Sequence, residues 1–208
     1  MSVTIAEIAV ADQPEAWACA GFTVDPDGVC RVGSVRIRLV GEGVKRGIVG
    51  WALRAAIGGD LDGVPTSSSD LPKAEPATHA NGVNRIDHVV LLSPDLARTR
   101  AALDEIGLEA RRERDGELGG GAIRQVFYRL EDVILEVVGS PDTAGDGPSS
   151  LWGITFVADD IEAAAAFFGE RTSPLKDAVQ AGRRITTLRH RELGMSVRTA
   201  LISPHVRA

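Results

Sequence analysis

Cysteine is scarce in this chain: Cys19 and Cys30 are the only two among 208 residues. Their spacing fits no metal-binding motif, and their number fits no disulfide scaffold, so they read as free thiols in a reducing compartment. Lysine is rarer than arginine by far, with only Lys45, Lys73 and Lys176 among 23 basic residues. Basic charge is not in excess either. The formal net charge of −6 argues against a nucleic-acid partner. No apolar run reaches the roughly 20 residues of a membrane span. The opening MSVTIAEIAV has neither a basic n-region nor a cleavage site. A signal peptide and a membrane partner are therefore not expected, and a cytoplasmic location is.

What is present is an ordinary globular composition, 44% hydrophobic and 25% charged, long enough for one or two domains. The chain is organised around residues 85–139, which read as one βαβββ module. Arg85–Leu92 is a short apolar run, hence a buried strand. Ser93 is placed to cap a helix, with Pro94 at its first position and Asp95 in its first turn. Gly107 is its stop. Three strands follow, at about residues 109–115, 124–130 and 133–138, the last two joined tightly by Glu131 and Asp132. The run Gly119–Gly121 is a hairpin tip rather than a phosphate loop. Arg111, Arg112 and Arg114 read as a solvated strand edge, with anion binding as the lesser alternative.

Two polar residues interrupt the apolar strands. His88 shares a face with Ile86, Val90 and Leu92, and Glu136 shares one with Ile134 and Val138. A carboxylate in a strand that is apolar on both faces needs a partner, or its pKa rises. Neighbouring strands lie about 4.8 Å apart, so His88 and Glu136 can meet or share a cation.

Echoes of the module lie on both sides. VCRVGSVRIRLVG aligns without a gap on VFYRLEDVILEVVG, which sets Arg31 on Arg129, Gly41 on Gly139, Glu7 on His88 and Arg38 on Glu136. Glu7 and Arg38 are expected to form an ion pair. The strand Gly47–Arg54 reads as the stump of a further module, and residues 66–82 as a linker in which His79 is solvated. After a loop, Leu151–Val157 is a strand, Asp159 and Asp160 start a helix, and Ser173–Gln180 and Arg184–Arg189 are further strands. His190 is placed in a surface turn. Alignment with the central module sets Gly153 opposite His88 and Thr199 opposite Glu136.

IDHVVL before a helix, closed by VILEVVG, resembles the vicinal oxygen chelate superfamily, which includes glyoxalase I, bleomycin-resistance proteins and extradiol dioxygenases. The resemblance implies an α+β fold of repeated βαβββ modules whose curved sheets form half-barrels. The expected domains are a degenerate N-terminal module (1–65), the linker (66–82) and a glyoxalase-like domain (83–208) of two modules, 83–141 and 150–205. In metal-dependent relatives the positions of His88 and Glu136 supply ligands to a divalent ion (Zn, Mn, Mg, Ni or Fe), together with a pair from a second module. Gly153 and Thr199 make that second pair incomplete here. Two readings therefore stay open. One is a glyoxalase-like enzyme, a lyase or isomerase, acting on a small oxygenated or electrophilic metabolite with Glu136 as base and His88 as its partner or metal ligand. The other is a non-catalytic protein that sequesters a small molecule. Phe127, Tyr128, Trp152 and Thr199 are the expected substrate contacts, Trp51 is a further lining aromatic, and a homodimer is expected because relatives often exchange modules.

Overall fold

The N-terminal half runs β1 (Thr4–Val10), α1 (Pro14–Cys19), β2 (Val29–Val32), β3 (Val35–Leu39), β4 (Ile48–Arg54), β5 (Gly59–Leu61) and β6 (Val64–Ser68). The C-terminal half runs β7 (Val83–Leu92), α2 (Leu96–Glu105), β8 (Ala110–Leu118), β9 (Gly121–Leu130), β10 (Val133–Gly139), β11 (Ser150–Ala158), α3 (Ile161–Phe168), β12 (Lys176–Asp177), β13 (Arg184–Thr187) and β14 (Arg198–Ile202). These are seen in a computed structural model that describes residues 2–41, 43 and 46–205.

Each half is one sheet with an internal two-fold order. The first is β2-β3-β1-β4-β6-β5, and the second is β12-β13-β14-β11-β7-β10-β9-β8, curled into a half-barrel. In each, the two central strands are antiparallel, and each is parallel to the last strand of its own module. The chain thus holds four modules. The strand expected to be a stump is the second of them, β4-β5-β6, which lacks a helix. Residues 66–68, expected in the linker, complete β6.

The repeat register read from the sequence holds in space. Arg38 lies beside Ala9, two residues past Glu7, as Glu136 lies beside Val90, two residues past His88. The Glu7–Arg38 ion pair is present at 2.9 Å. A feature invisible to simple alternation accompanies it. Ala6, Val49, Asp87 and Trp152 are each an extra residue in the central strand pairing of their module. Such a bulge turns two successive side chains to one face. The residues that follow are Glu7, Gly50, His88 and Gly153.

One face of the second sheet is the core. Val89, Leu91, Val126, Tyr128, Leu135, Val137, Ile154 and Phe156 are buried there. Trp17 of α1 meets Phe156 edge-on at 6.2 Å, joining the two halves in one apolar cluster. Helix α2 starts later than expected: Asp95, not Ser93, is the cap, accepting from the backbone N–H groups of Ala97 and Arg98. The Ser93 hydroxyl is instead buried against that of Thr99. Of the strand expected over 173–180, only Lys176–Asp177 pairs. Trp51 is a core residue whose Nε1 donates to Thr66 Oγ1 at 2.8 Å.

The segment after β6 is an ordered strap. Arg31, Arg36 and Arg54 donate to the carbonyl oxygens of Glu75, Pro72 and Leu71, at 2.7, 2.7 and 2.6 Å. Arg36 pairs with Glu7 in register, so the strap crosses the sheet face that carries Glu7 and Arg38. His79, expected to be solvated, is buried, and its Nδ1 accepts from Thr23 N at 3.0 Å.

Candidate functional site

Strand registers lay out the open face of the second sheet as two rows. One row is Arg112, Phe127, Glu136, Val90, Gly153 and Arg198, crossing β8, β9, β10, β7, β11 and β14. The other is Arg129, Ile134, His88, Thr155, Ala200 and Thr187. His88 and Glu136 therefore do share a face, and His88 Nε2 lies 3.7 Å from Glu136 Oε2.

The bulge at Asp87 completes the arrangement. It swings this carboxylate onto the side of His88, where Asp87 Oδ2 is 2.8 Å from Nδ1. Arg183, just before β13 and only 2% exposed, donates to Asp87 Oδ1 at 2.5 Å and to the Ser203 carbonyl oxygen at 2.7 Å. Burial alone raises the Asp87 pKa, but the hydrogen bonds and charges of His88 and Arg183 outweigh it and hold it at about 2. Asp87 is thus ionised and can only accept, so the proton between it and His88 sits on Nδ1. Nε2 is left facing Glu136. On the far side, Gln125 donates to Glu136 Oε1, and Arg114 donates twice to Gln125 Oε1, at 2.8 and 2.6 Å, which fixes the amide.

A cavity of about 280 Å³ opens over this group, lined by His88, Glu136, Phe127, Arg111, Arg112 and Arg114 among others. Arg112 and Arg114 each lie 5.8 Å over the Phe127 ring. A bulge at Arg111 adds a third arginine to this side. The three arginines, read from sequence as a solvated edge, overhang the cleft.

Tyr128 borders this cavity, and Trp152 and Thr199 border the outer half of the cleft, but two of the three side chains turn the other way. Tyr128 and Thr199 belong to the row Tyr128, Leu135, Val89, Ile154 and Thr199, which faces the core. The Tyr128 hydroxyl is buried, which pushes its pKa up to about 12. Thr199 donates to the Val197 carbonyl oxygen at 3.1 Å. In this register Ala200, not Thr199, takes the place that Glu136 has in the central module. A slip of one residue moves a side chain to the opposite face. Trp152 is 41% exposed on its bulge, with Arg198 4.8 Å over its ring. Alternation places Asp87 on the core face, and Gln125 and Arg183 break no sequence pattern, so these three escaped the sequence reading. The bulge at Ala6, two modules earlier, marks the place of Asp87 once the repeat is aligned.

The divalent ion that the resemblance implies would need a second pair of donors facing His88 and Glu136. Gly153 offers no side chain, and a Cβ there would meet the Arg198 carbonyl oxygen at 2.8 Å. Ala200 offers no donor, and Asp87 is committed to Arg183 and His88. Among the described residues no group of three His, Cys, Asp or Glu can hold a metal. The residues present do not fit a resident divalent ion.

No family model and no curated protein matches the chain. Solved structures do. A triple mutant of 4-hydroxymandelate synthase from Streptomyces coelicolor superposes with a TM-score of 0.70 at 13% identity, covering 100% of this chain and 94% of that one. An extradiol ring-cleaving dioxygenase from Brevibacterium fuscum gives 0.60 at 13%, covering 99% and 72%. The fold is that of the vicinal oxygen chelate superfamily. A fusion of a xylose isomerase-like TIM barrel with a 4-hydroxyphenylpyruvate dioxygenase gives 0.62 at 13% identity, covering 100% of this chain and 49% of that one. Among the described residues no helix is long and apolar enough to cross a membrane.

Proposed function

We propose that the open cleft of this vicinal oxygen chelate fold binds a small oxygenated metabolite bearing an acidic group, and that Glu136 and His88 move a proton on it. The observation that carries this reading is the line of contacts Arg183, Asp87, His88, Glu136, Gln125 and Arg114. Asp87 sets the tautomer of His88, and Gln125 holds the Glu136 carboxylate with one oxygen free. Arg111, Arg112 and Arg114 supply positive charge for the acidic group. Glu136 then takes a proton from the carbon beside a carbonyl, the C–H electron pair passing into the enolate. His88 Nε2 accepts a hydrogen bond from the protonated carboxyl and can carry the proton onward. The fold neighbours are named for 4-hydroxymandelate and 4-hydroxyphenylpyruvate, which supports a small-molecule ligand.

Sequestration without turnover is the second reading. It is favoured by Gly153 and Ala200, which leave one half of the sheet without reactive groups. Proton NMR in D2O with 2-oxobutanoate separates the two. Turnover gives loss of the C3 proton signal with the wild type and none with Glu136→Gln or His88→Ala. Binding without exchange leaves sequestration, and neither binding nor exchange across small 2-oxo acids overturns both.

A further inference from the structure

A cavity of about 950 Å³ lies at the seam between the two halves and plays no part in the chemistry above. The N-terminal half gives it Asp12, Gly47, Ile48, Gly50 and Gly63, and the C-terminal half gives it Ser149, Trp152, His190, Arg191, Ser196 and Arg198. We propose that this seam is a second binding site, for an aromatic anion, with the ring laid on the Trp152 indole and the anionic group held by Arg198 and Arg191.

Three observations carry this. First, Trp152 is a large aromatic left 41% exposed near the start of the central strand β11, whereas Trp17 and Trp51 are 0% and 3% exposed. Its bulge position holds Ala6, Val49 and Asp87 in the other modules, so the fold itself does not demand an indole there. Second, the charge is one-sided. Arg191 and Arg198 line the cavity, and the carboxylate among the lining residues named above, Asp12, is already engaged by Trp17 Nε1 and Ser196 N, both at 2.9 Å. His190 beside them is held below its usual pKa by burial and by Arg198 and Arg191, and so adds a neutral hydrogen-bonding ring at pH 7. Third, the wall is tied from both halves: Ser196 Oγ accepts from Gly47 N at 2.7 Å, and Ser149 donates to Asp62 at 2.6 Å. A planar ring on an indole and an anion on a guanidinium are each favoured in a partly desolvated cavity. The degenerate N-terminal half then has a task, as one wall of this site.

Trp152, His190, Arg191 and Arg198 also line the outer half of the cleft, so the two sites are neighbours. The test distinguishes them. Isothermal titration calorimetry of the full chain uses 2-naphthoate, the uncharged 2-naphthalenemethanol and inorganic phosphate as probes. The expected result is one 2-naphthoate per chain, weakened about tenfold or more by Trp152→Ala and by Arg198→Gln, and unchanged by Glu136→Gln. Thermal melting shows that each variant is folded, and Trp152→Phe, which keeps a ring, retains most of the affinity. The proposal is overturned by no binding to the wild type, by equal binding of 2-naphthalenemethanol or phosphate, by unchanged affinity in folded Trp152→Ala, or by loss in Glu136→Gln alone.

Discussion

Replacing Asp87 with Asn removes a buried charge and keeps the shape. In the folded chain the Asp87 pKa is about 2, against an ordinary value of 3.8. A depressed carboxylate stabilises the fold above its unfolded pKa, and the contribution is lost as pH falls from about 4 through about 2. The difference of about two units corresponds to about 2 kcal/mol at pH 7. For a chain of this size that is about 4–8 °C in melting temperature. Urea denaturation of wild type and Asp87→Asn between pH 7 and pH 2 measures it. The gap is expected to be full at pH 7 and to close near pH 2. Arg183→Met, which leaves the Asp87 carboxylate without its buried cation, is expected to cost about 3–5 kcal/mol, and the double variant less than the sum. A gap that does not change with pH, or an Asp87→Asn protein as stable as wild type at pH 7, refutes the reasoning.

Two further outcomes follow from the same geometry. Gly153→Ala forces a Cβ against the Arg198 carbonyl oxygen at 2.8 Å and is expected to cost about 1–3 kcal/mol in urea denaturation, whereas Gly147→Ala, with nothing within 4 Å, changes little. Burial pushes the Cys30 thiol up to about 12 while Cys19 is exposed, so a thiol reagent at pH 8 is expected to modify one cysteine in the native chain and both in urea.

Much of the architecture was legible because it repeats. The gapless match between the β2–β3 and β9–β10 hairpins set Glu7 and Arg38 where His88 and Glu136 stand, and the registers agree. Glu136 stood out as the one charge in an apolar strand. The bulges were not legible, since a one-residue insertion leaves no mark on hydrophobic alternation. They turn Asp87 into the cleft and Trp152 out to the seam. The Thr199 alignment failed for a related reason: a β-strand tolerates no register error without changing face. The strap over 69–77 reads as a linker by composition, yet it is held by arginines on β2, β3 and β4, contacts that no local pattern carries.

The imidazole of His88 tests the cleft most directly. Side-chain 15N NMR of the wild type above pH 8 is expected to show the proton on Nδ1, lost from that nitrogen in Asp87→Asn, and a shift of the Nε2 signal on adding 2-oxobutanoate. A proton on Nε2, or an Nε2 signal indifferent to every small 2-oxo acid, contradicts a proton-transfer pair at this site.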